Sequence, residues 1–126
     1  MFGEKNIVGK EIIKFSSDKK VTLPKFTNAE ENDELVYVRF NKYYMLLNIN
    51  QYIEIISFLN RKIKDNTFLQ EKNVLRSLKR EVLCNTSKGL RCDKNRRIYL
   101  PIENCKEILC TGEGKHLILK PLRKKD

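Results

Sequence analysis

Apolar and polar positions alternate with a strand period in both end regions of the chain. The first β-rich run covers residues 7–13, and two further runs, residues 35–40 and 43–47, are separated only by Asn41 and Lys42. A two-residue spacing between such runs is typical of a β-hairpin. Near the other end, two further β-rich runs flank residues 112–115 and predict a second hairpin.

The period changes to that of a helix in the middle of the chain. Apolar residues at helical spacing predict a first helix, with Asn50 as its N-cap. A second helix is predicted over residues 68–83, and Thr67 precedes Gln70 by the spacing of a capping box. The first helix carries its apolar stripe on Tyr52, Ile55, Ile56, Leu59 and Ile63. Strands at both ends and helices between them predict an α+β fold.

The two β-rich parts repeat one another. Each contains a polar turn, a short apolar strand that ends in proline, and then a hairpin. Aligning Pro24 with Pro101 gives an offset of 77 residues. The matched pairs are then Ser16 with Asp93, Lys20 with Arg97, Val21 with Ile98, and Leu23 with Leu100. This match predicts an internal duplication, and the alternative is a chance coincidence of two proline-ended strands.

The net charge points to a polyanionic partner. Lys and Arg number 26 against 16 Asp and Glu, which gives a formal charge of +10 on 126 residues. Residues 1–63 carry 10 basic and 8 acidic residues, whereas residues 64–126 carry 16 and 8, so the excess lies in the second half. Nucleic acid is the expected polyanion. With neither an apolar span nor a signal-like start, the sequence predicts a cytoplasmic protein without membrane contact.

Catalytic and metal-binding patterns are missing from the sequence. The only histidine is His116, and the four cysteines contain no Cys-x-x-Cys pair. There is neither a glycine-rich phosphate loop nor a paired-carboxylate motif. We therefore expect no enzyme activity, no cofactor and no metal, and we interpret the cysteines as reduced, mostly buried thiols. They are Cys84, Cys92, Cys105 and Cys110.

The segment from Asp93 to Pro101 resembles the motif of the MraZ family, within the AbrB-like swapped-hairpin DNA-binding proteins. That motif is Asp, three residues, Arg, and a short apolar strand ending in proline, once in each half. The start, residues 1–4, and the order of the other elements also resemble the family, over roughly residues 1–120. The first copy departs from the motif, because Ser16 and Lys20 replace the Asp and the Arg.

The resemblance implies a sequence-specific DNA-binding transcriptional regulator. Such a protein represses a division and cell-wall gene cluster, binds short direct repeats in double-stranded DNA, assembles into a ring-like homo-oligomer and associates with the nucleoid. It also implies a division into two AbrB-like β units joined by linking helices, and the basic residues at the end of the chain add the expectation of a short basic tail. Their expected ranges are residues 1–49 and 84–120 for the units, 50–83 for the helices, and 121–126 for the tail.

The repeated turns are the candidate DNA-binding site. The guanidinium of Arg97 can bind a guanine edge or a phosphate through two hydrogen bonds, and Asp93 can orient it. Lys20 keeps the charge without the planar fork, so it suits phosphate better than a base. The remaining candidates for backbone contacts or turn support are Ser16, Lys19, Arg91, Lys94 and Arg96.

Other interpretations remain open at this stage. Asp93 and Arg97 could form only a solvated ion pair, and the basic helix face of Arg76, Lys79 and Arg80 could simply be solvated. An antitoxin of the same fold group, with a protein toxin as its partner, is one alternative function, although the basic end of the chain suits it poorly. A nonspecific nucleic-acid-binding module is another.

Overall fold

A computed structural model describes residues 1–40, 42–103 and 105–124. Over these residues the chain forms eight strands, two α-helices and one turn of 3-10 helix at Lys25–Thr27. The first half contributes β1 (Lys10–Lys14), β2 (Lys20–Thr22), β3 (Glu34–Phe40) and β4 (Tyr43–Asn48). Helices α1 (Ile49–Asp65) and α2 (Leu69–Cys84) follow. The second half contributes β5 (Thr86–Arg91), β6 (Arg97–Tyr99), β7 (Cys105–Glu113) and β8 (His116–Lys124).

The strands form a six-stranded sheet and a two-stranded ribbon. The sheet order is β1-β7-β8-β4-β3-β5, and the ribbon pairs β2 with β6. All of these pairings are antiparallel. Exchanging β1 with β5, β3 with β7, and β4 with β8 gives the same strand order, counted from the other edge of the sheet. The α+β class predicted from the sequence is confirmed.

Both faces of the sheet are covered in the region of β3. Leu35 belongs to a large core cluster that also contains Val21 and Ile98 of the ribbon. Its neighbour Val36 belongs to a second cluster, which α1 supplies with Tyr52. Because successive side chains of a strand point to opposite faces, β3 is apolar at consecutive positions rather than at every second one.

The two predicted hairpins are present. β3 and β4 pair from Leu35 opposite Asn48 to Phe40 opposite Tyr43, although the predicted turn residue Asn41 lies outside the described residues. β7 and β8 pair with Glu113 opposite His116. The first strand is shorter than predicted, because residue 7 makes only an isolated bridge with Gly114. The chain passes so close to β7 there that a Cβ on Gly112 would overlap the Ile7 carbonyl oxygen.

The helices form where they were predicted, but their N-terminal caps differ. Asn48, not Asn50, is the N-cap of α1, since its side chain accepts a hydrogen bond from the Gln51 nitrogen at 2.9 Å. Gln51 closes the capping box. Asn48 is also buried and donates to the Phe2 carbonyl oxygen at 2.9 Å, which fixes the start of α1 against the N-terminal segment. The predicted Thr67 capping box is wrong, because α2 starts after Phe68 without a side-chain cap.

The prediction of a basic tail is also wrong for residues 121–124, the part of that segment that the structure describes. β8 continues through Lys124, with Pro121 opposite Ile108 and Lys124 opposite Cys105. β7 starts as early as Cys105, so it provides a pairing partner for this segment. Residues 125–126 of the predicted tail lie outside the described residues. Among the described helices, neither is long and apolar enough to cross a membrane.

Candidate nucleic-acid interface

The two proline-ended strands pair with each other to form the ribbon. Val21 lies opposite Ile98, and both side chains are buried in the large core cluster. The flanking pairs are Lys20 with Tyr99 and Thr22 with Arg97. Because strand side chains alternate, these four side chains share the outer face of the ribbon. A two-stranded antiparallel ribbon with such a face has the dimensions that the major groove of DNA admits.

The second turn, residues 93–97, holds Arg97 through the carboxylate of Asp93. Asp93 Oδ1 accepts hydrogen bonds from the backbone nitrogens of Asn95 at 2.8 Å and Arg97 at 2.9 Å. Asp93 Oδ2 accepts a third bond from Arg97 Nε at 3.1 Å. The two side chains are 42% and 33% exposed for Arg97 and Asp93, so the pair is accessible to a ligand. The expected orientation of Arg97 by Asp93 is thus present in the structure.

The first turn, residues 16–20, has the same backbone hydrogen bonds as the second turn but a different arrangement of side chains. Ser16 Oγ accepts a hydrogen bond from the Lys20 backbone nitrogen at 3.2 Å, as Asp93 Oδ1 accepts one from the Arg97 backbone nitrogen. The Ser16 hydroxyl also lies within donating distance of the Asp18 carboxylate. Lys20 is therefore supported through its backbone, whereas an ion pair with Ser16 is chemically impossible.

Two carboxylates of these turns, exposed Asp18 and half-buried Asp93, have lowered pKa values. The pKa of Asp93 lies below its usual 3.8, chiefly because of the backbone hydrogen bond from Arg97 and then that from Asn95, with the Arg97 side chain adding to both. The pKa of Asp18 is lowered mainly by the hydrogen bond from Ser16, and the charges of Lys20 and Arg97 lower it further. The Arg97 charge on the second turn therefore contributes to the lowered pKa of a carboxylate on the first turn.

The residue before each basic position has a left-handed backbone. Lys19 has a φ of 61° and Arg96 a φ of 60°, the region in which glycine is favoured. The Arg96 side chain is half-buried, and its Nε donates to the Leu23 carbonyl oxygen at 3.3 Å, so it also ties the two strands together.

The structure brings seven of the eight sequence-predicted residues to the ribbon and its two turns, and Arg91 is the exception. Lys94 is exposed within the second turn. Arg91 is exposed at the end of β5, opposite Glu34 on the edge of the large sheet. The seven residues at the ribbon are Ser16, Lys19, Lys20, Asp93, Lys94, Arg96 and Arg97.

Three residues of the interface were missed by the sequence reasoning. Asp18 lies in the first turn, and Thr22 and Tyr99 lie on the outer face of the ribbon. Tyr99 is 47% exposed. The offset of 77 matches Thr22 with Tyr99 and Asp18 with Asn95, but only the pairing of β2 with β6 places these residues at one site.

The thiols and His116 do not form a reactive group. Cys92, Cys105 and Cys110 are buried, as expected, whereas Cys84 is exposed. Burial raises the pKa of Cys92 to about 11 and that of Cys110 to about 12. Burial also lowers the pKa of His116. Across residues 1–40, 42–103 and 105–124, no three His, Cys, Asp or Glu side chains lie together in a group that could hold a metal ion.

The helices leave an apolar cavity against the sheet. It has a volume of about 510 Å³ and lies between α1, α2 and the β3–β4 hairpin, with Val38, Phe58 and Leu78 among its lining residues. It lies on the helical side of the sheet, away from the ribbon, so it is separate from the candidate interface.

No protein-family model matches this chain, and no curated protein matches it either.

Proposed function

We propose that this protein is a sequence-specific DNA-binding transcriptional regulator that contacts double-stranded DNA through the β2–β6 ribbon. The observation that carries the proposal is the Asp93–Arg97 pair on an exposed ribbon face. A carboxylate that binds Nε leaves the two terminal nitrogens of the guanidinium for an outside acceptor pair. Guanine presents such a pair, O6 and N7, in the major groove.

The charge distribution around the ribbon supports a phosphate-bearing ligand. Lys20 and Arg97 lie on its outer face, and Lys19 and Lys94 are exposed on the adjacent turns. Contacts from lysines to phosphates would hold the ribbon on the duplex without reading its sequence. Among these four basic residues, Arg97 is the one whose side chain is held in a fixed direction, by Asp93, so we assign it the role of reading a base.

The symmetric strand order supports the interpretation of two AbrB-like β units. β1 pairs with β7 and β5 pairs with β3, so each half completes the sheet of the other half. This crosswise pairing is what a swapped-hairpin duplication requires. With the resemblance to the MraZ family, it leads us to propose a repressor of a division and cell-wall gene cluster that acts at the nucleoid in the cytoplasm.

Exposed apolar side chains on the helices support self-association. Ile53 and Phe58 on α1, and Leu69 and Val74 on α2, are each about half exposed or more. Burying such residues between copies is favourable, at roughly 25 cal/mol for each Å² of apolar surface. A ring-like homo-oligomer would present several ribbons to successive DNA repeats, and the weak binding of each would gain avidity.

Selection from a random DNA pool, followed by a salt titration, tests the proposed function. A duplex enriched by the protein and a scrambled duplex of equal length and composition are titrated at several salt concentrations. Specific binding predicts a higher affinity for the enriched duplex at every concentration, with both affinities falling as salt rises. Equal affinities throughout would leave only nonspecific binding and would refute the proposal.

A further inference from the structure

A groove with a volume of about 430 Å³ lies between α1 and α2, separate from the apolar cavity against the sheet. α1 contributes Asn60 and Ile63 to its lining. α2 contributes residues at positions i, i+3, i+4 and i+7, which share one face of a helix. They are Arg76, Lys79, Arg80 and Leu83. We call this feature the basic groove.

Three cationic side chains line the basic groove, and none of the lining residues in the described part of the chain is acidic. Arg76 and Arg80 are exposed, and Lys79 is half-buried. Over residues 1–40, 42–103 and 105–124, no ion pair joins any of the three to Asp or Glu. Glu81 lies on another face of α2 and lines a different cavity. Since like charges three and four residues apart repel each other, a bound anion would relieve this repulsion.

The lining of the basic groove also contains apolar surface. Ile63 is half-buried, and Leu83 is 44% exposed. Asn60 adds an amide that can donate and accept hydrogen bonds. The groove therefore combines a cationic wall, an apolar wall and a neutral hydrogen-bonding group, a combination that a merely solvated helix face does not require.

Phosphate groups match the cationic wall. Arginine binds a phosphate through two parallel hydrogen bonds, and lysine binds it as a point charge. A single inorganic phosphate would fill only part of about 430 Å³, and ligand sites of this size usually take a molecule with an apolar or aromatic body. A nucleoside has such a body in its planar base, and the polar edge of the base can bond to the Asn60 amide.

The basic groove lies on the side of the sheet opposite to the ribbon. Val82 of α2 packs in the cluster of Val36, whereas Val21 and Ile98 of the ribbon pack in the cluster of Leu35. Adjacent side chains of β3 point to opposite faces of the sheet. A duplex on the ribbon would therefore not reach the groove, which favours a free small molecule over the phosphates of that duplex.

We infer that the basic groove binds a nucleoside diphosphate. The phosphates contact Arg76, Lys79 and Arg80, because three cations suit the several charges of a diphosphate better than those of a monophosphate. The base packs on the apolar wall that Ile63 and Leu83 form. This ligand and this face of the protein differ from those of the proposed function, so the two can be refuted separately.

Calorimetric titration of the full chain, without divalent cations, tests the inference with ADP, adenosine and inorganic pyrophosphate as probes. We expect saturable binding of ADP, weaker binding of pyrophosphate and no binding of adenosine, because the phosphates supply the charge and the base adds the apolar contact. Absence of ADP binding, or equal affinities of ADP and either other probe, would overturn the inference.

A pair of charge-matched variants tests the cationic wall. R76Q/R80Q removes two charges from the groove and retains long side chains that suit a helix. It should weaken ADP binding by about 10–100-fold, since the lost hydrogen bonds are to a charged group. K10Q/K14Q, on two exposed lysines of β1, removes the same charge elsewhere and should bind ADP as the unaltered protein does. An equal loss in both variants, or no loss in R76Q/R80Q, would refute the site.

Cys84 reports where the ligand lies, because its exposed thiol belongs to the lining of the groove. ADP at about ten times its Kd should slow modification of Cys84 by iodoacetamide about tenfold, whereas adenosine should not. Mass spectrometry of the Cys84 peptide measures this rate in the unaltered protein, so it decides the inference if R76Q/R80Q does not fold. An unchanged rate would place ADP outside the groove and refute the inference. Protection of Cys84 by a random-sequence duplex instead of by ADP would show that the groove holds nucleic-acid phosphates, which would also refute it.

Discussion

Lys19 and Arg96, the residues just before β2 and β6, adopt the same left-handed backbone conformation, with φ values of 61° and 60°. The carbonyl oxygen of each accepts a hydrogen bond from the residue that follows the opposite strand of the ribbon. Leu100 donates to Lys19 and Leu23 donates to Arg96. The two turns thus clamp the ribbon from both ends. A non-glycine residue in this conformation costs roughly 1–2 kcal/mol, so both turns retain strain at the edge of the candidate site.

Replacing Lys19 with glycine should relieve that strain. We expect Lys19→Gly to raise the free energy of unfolding by about 1 kcal/mol, because glycine adopts a positive φ without the Cβ clash, although the unfolded chain gains some freedom. Urea unfolding followed by circular dichroism measures the change. Lys14→Gly, in an exposed strand position, is the control and should lower the stability. A lower stability for Lys19→Gly would contradict the strain argument.

Removing the Arg97 side chain should weaken specific DNA binding by about 1–3 kcal/mol, the usual value of one bidentate contact to a base. Arg97→Lys should lose most of this too, because lysine keeps the charge but not the fork. Lys20→Ala is the comparison variant, and it should mainly reduce the slope of log affinity against log salt. Gel-shift titrations on the enriched duplex provide both quantities, and an unchanged affinity for Arg97→Ala would refute its reading role.

The parts of the fold that were predictable depend on contacts between residues close in sequence. The hairpins follow from runs separated by a few residues, and α1 and α2 follow from apolar spacing. The N-cap was misplaced because the bond from Asn48 to Phe2, 46 residues away, is invisible in a local pattern. Likewise, nothing local indicates that residues 121–124 have a partner in β7.

The candidate site was predictable only in part, for a related reason. The repeat identified Arg97 and Asp93, but not that their strand pairs with β2 across 77 residues. Without that pairing, Tyr99 and Thr22 could not be placed on one exposed face. Asp18 was missed because the effect of the Arg97 charge on the Asp18 pKa depends on two turns that meet in space.

The N-cap of α1 offers a test with a matched control. Asn48→Ala should lower the stability by about 1–3 kcal/mol, because it removes the cap to Gln51 and leaves the Phe2 carbonyl oxygen unbonded in a buried position. Asn50→Ala changes the same residue type two positions later, where the side chain is exposed, and should change stability by no more than about 0.5 kcal/mol. Equal urea midpoints for the two variants would contradict the assigned cap.

The cysteines should differ in reactivity. In the folded protein near neutral pH, we expect a thiol reagent to modify exposed Cys84 quickly, and Cys92 and Cys110 only slowly. Their raised pKa values, about 11 and about 12, leave little thiolate, and burial excludes the reagent. Mass spectrometry of the modified peptides over time measures this. Cys84→Ser should abolish the fast phase, and rapid modification of Cys110 in the folded state would contradict its burial.

Asp93→Asn tests the carboxylate in a pH-dependent way. The pKa of Asp93 is lowered in the folded protein, first by the backbone hydrogen bond from Arg97, so the folded state favours the charged form. A lowered carboxyl pKa stabilises the fold above the unfolded-state pKa and loses that contribution as pH falls through the folded-state value. The unaltered protein should therefore exceed Asp93→Asn in stability at about pH 7, and the difference should shrink toward about pH 3.

Urea midpoints of both proteins across this pH range measure that difference. Asp18→Asn should change stability in the same direction, because the Ser16 hydrogen bond lowers the Asp18 pKa. A difference that stays constant with pH would show that the Asp93 charge does not hold the turn.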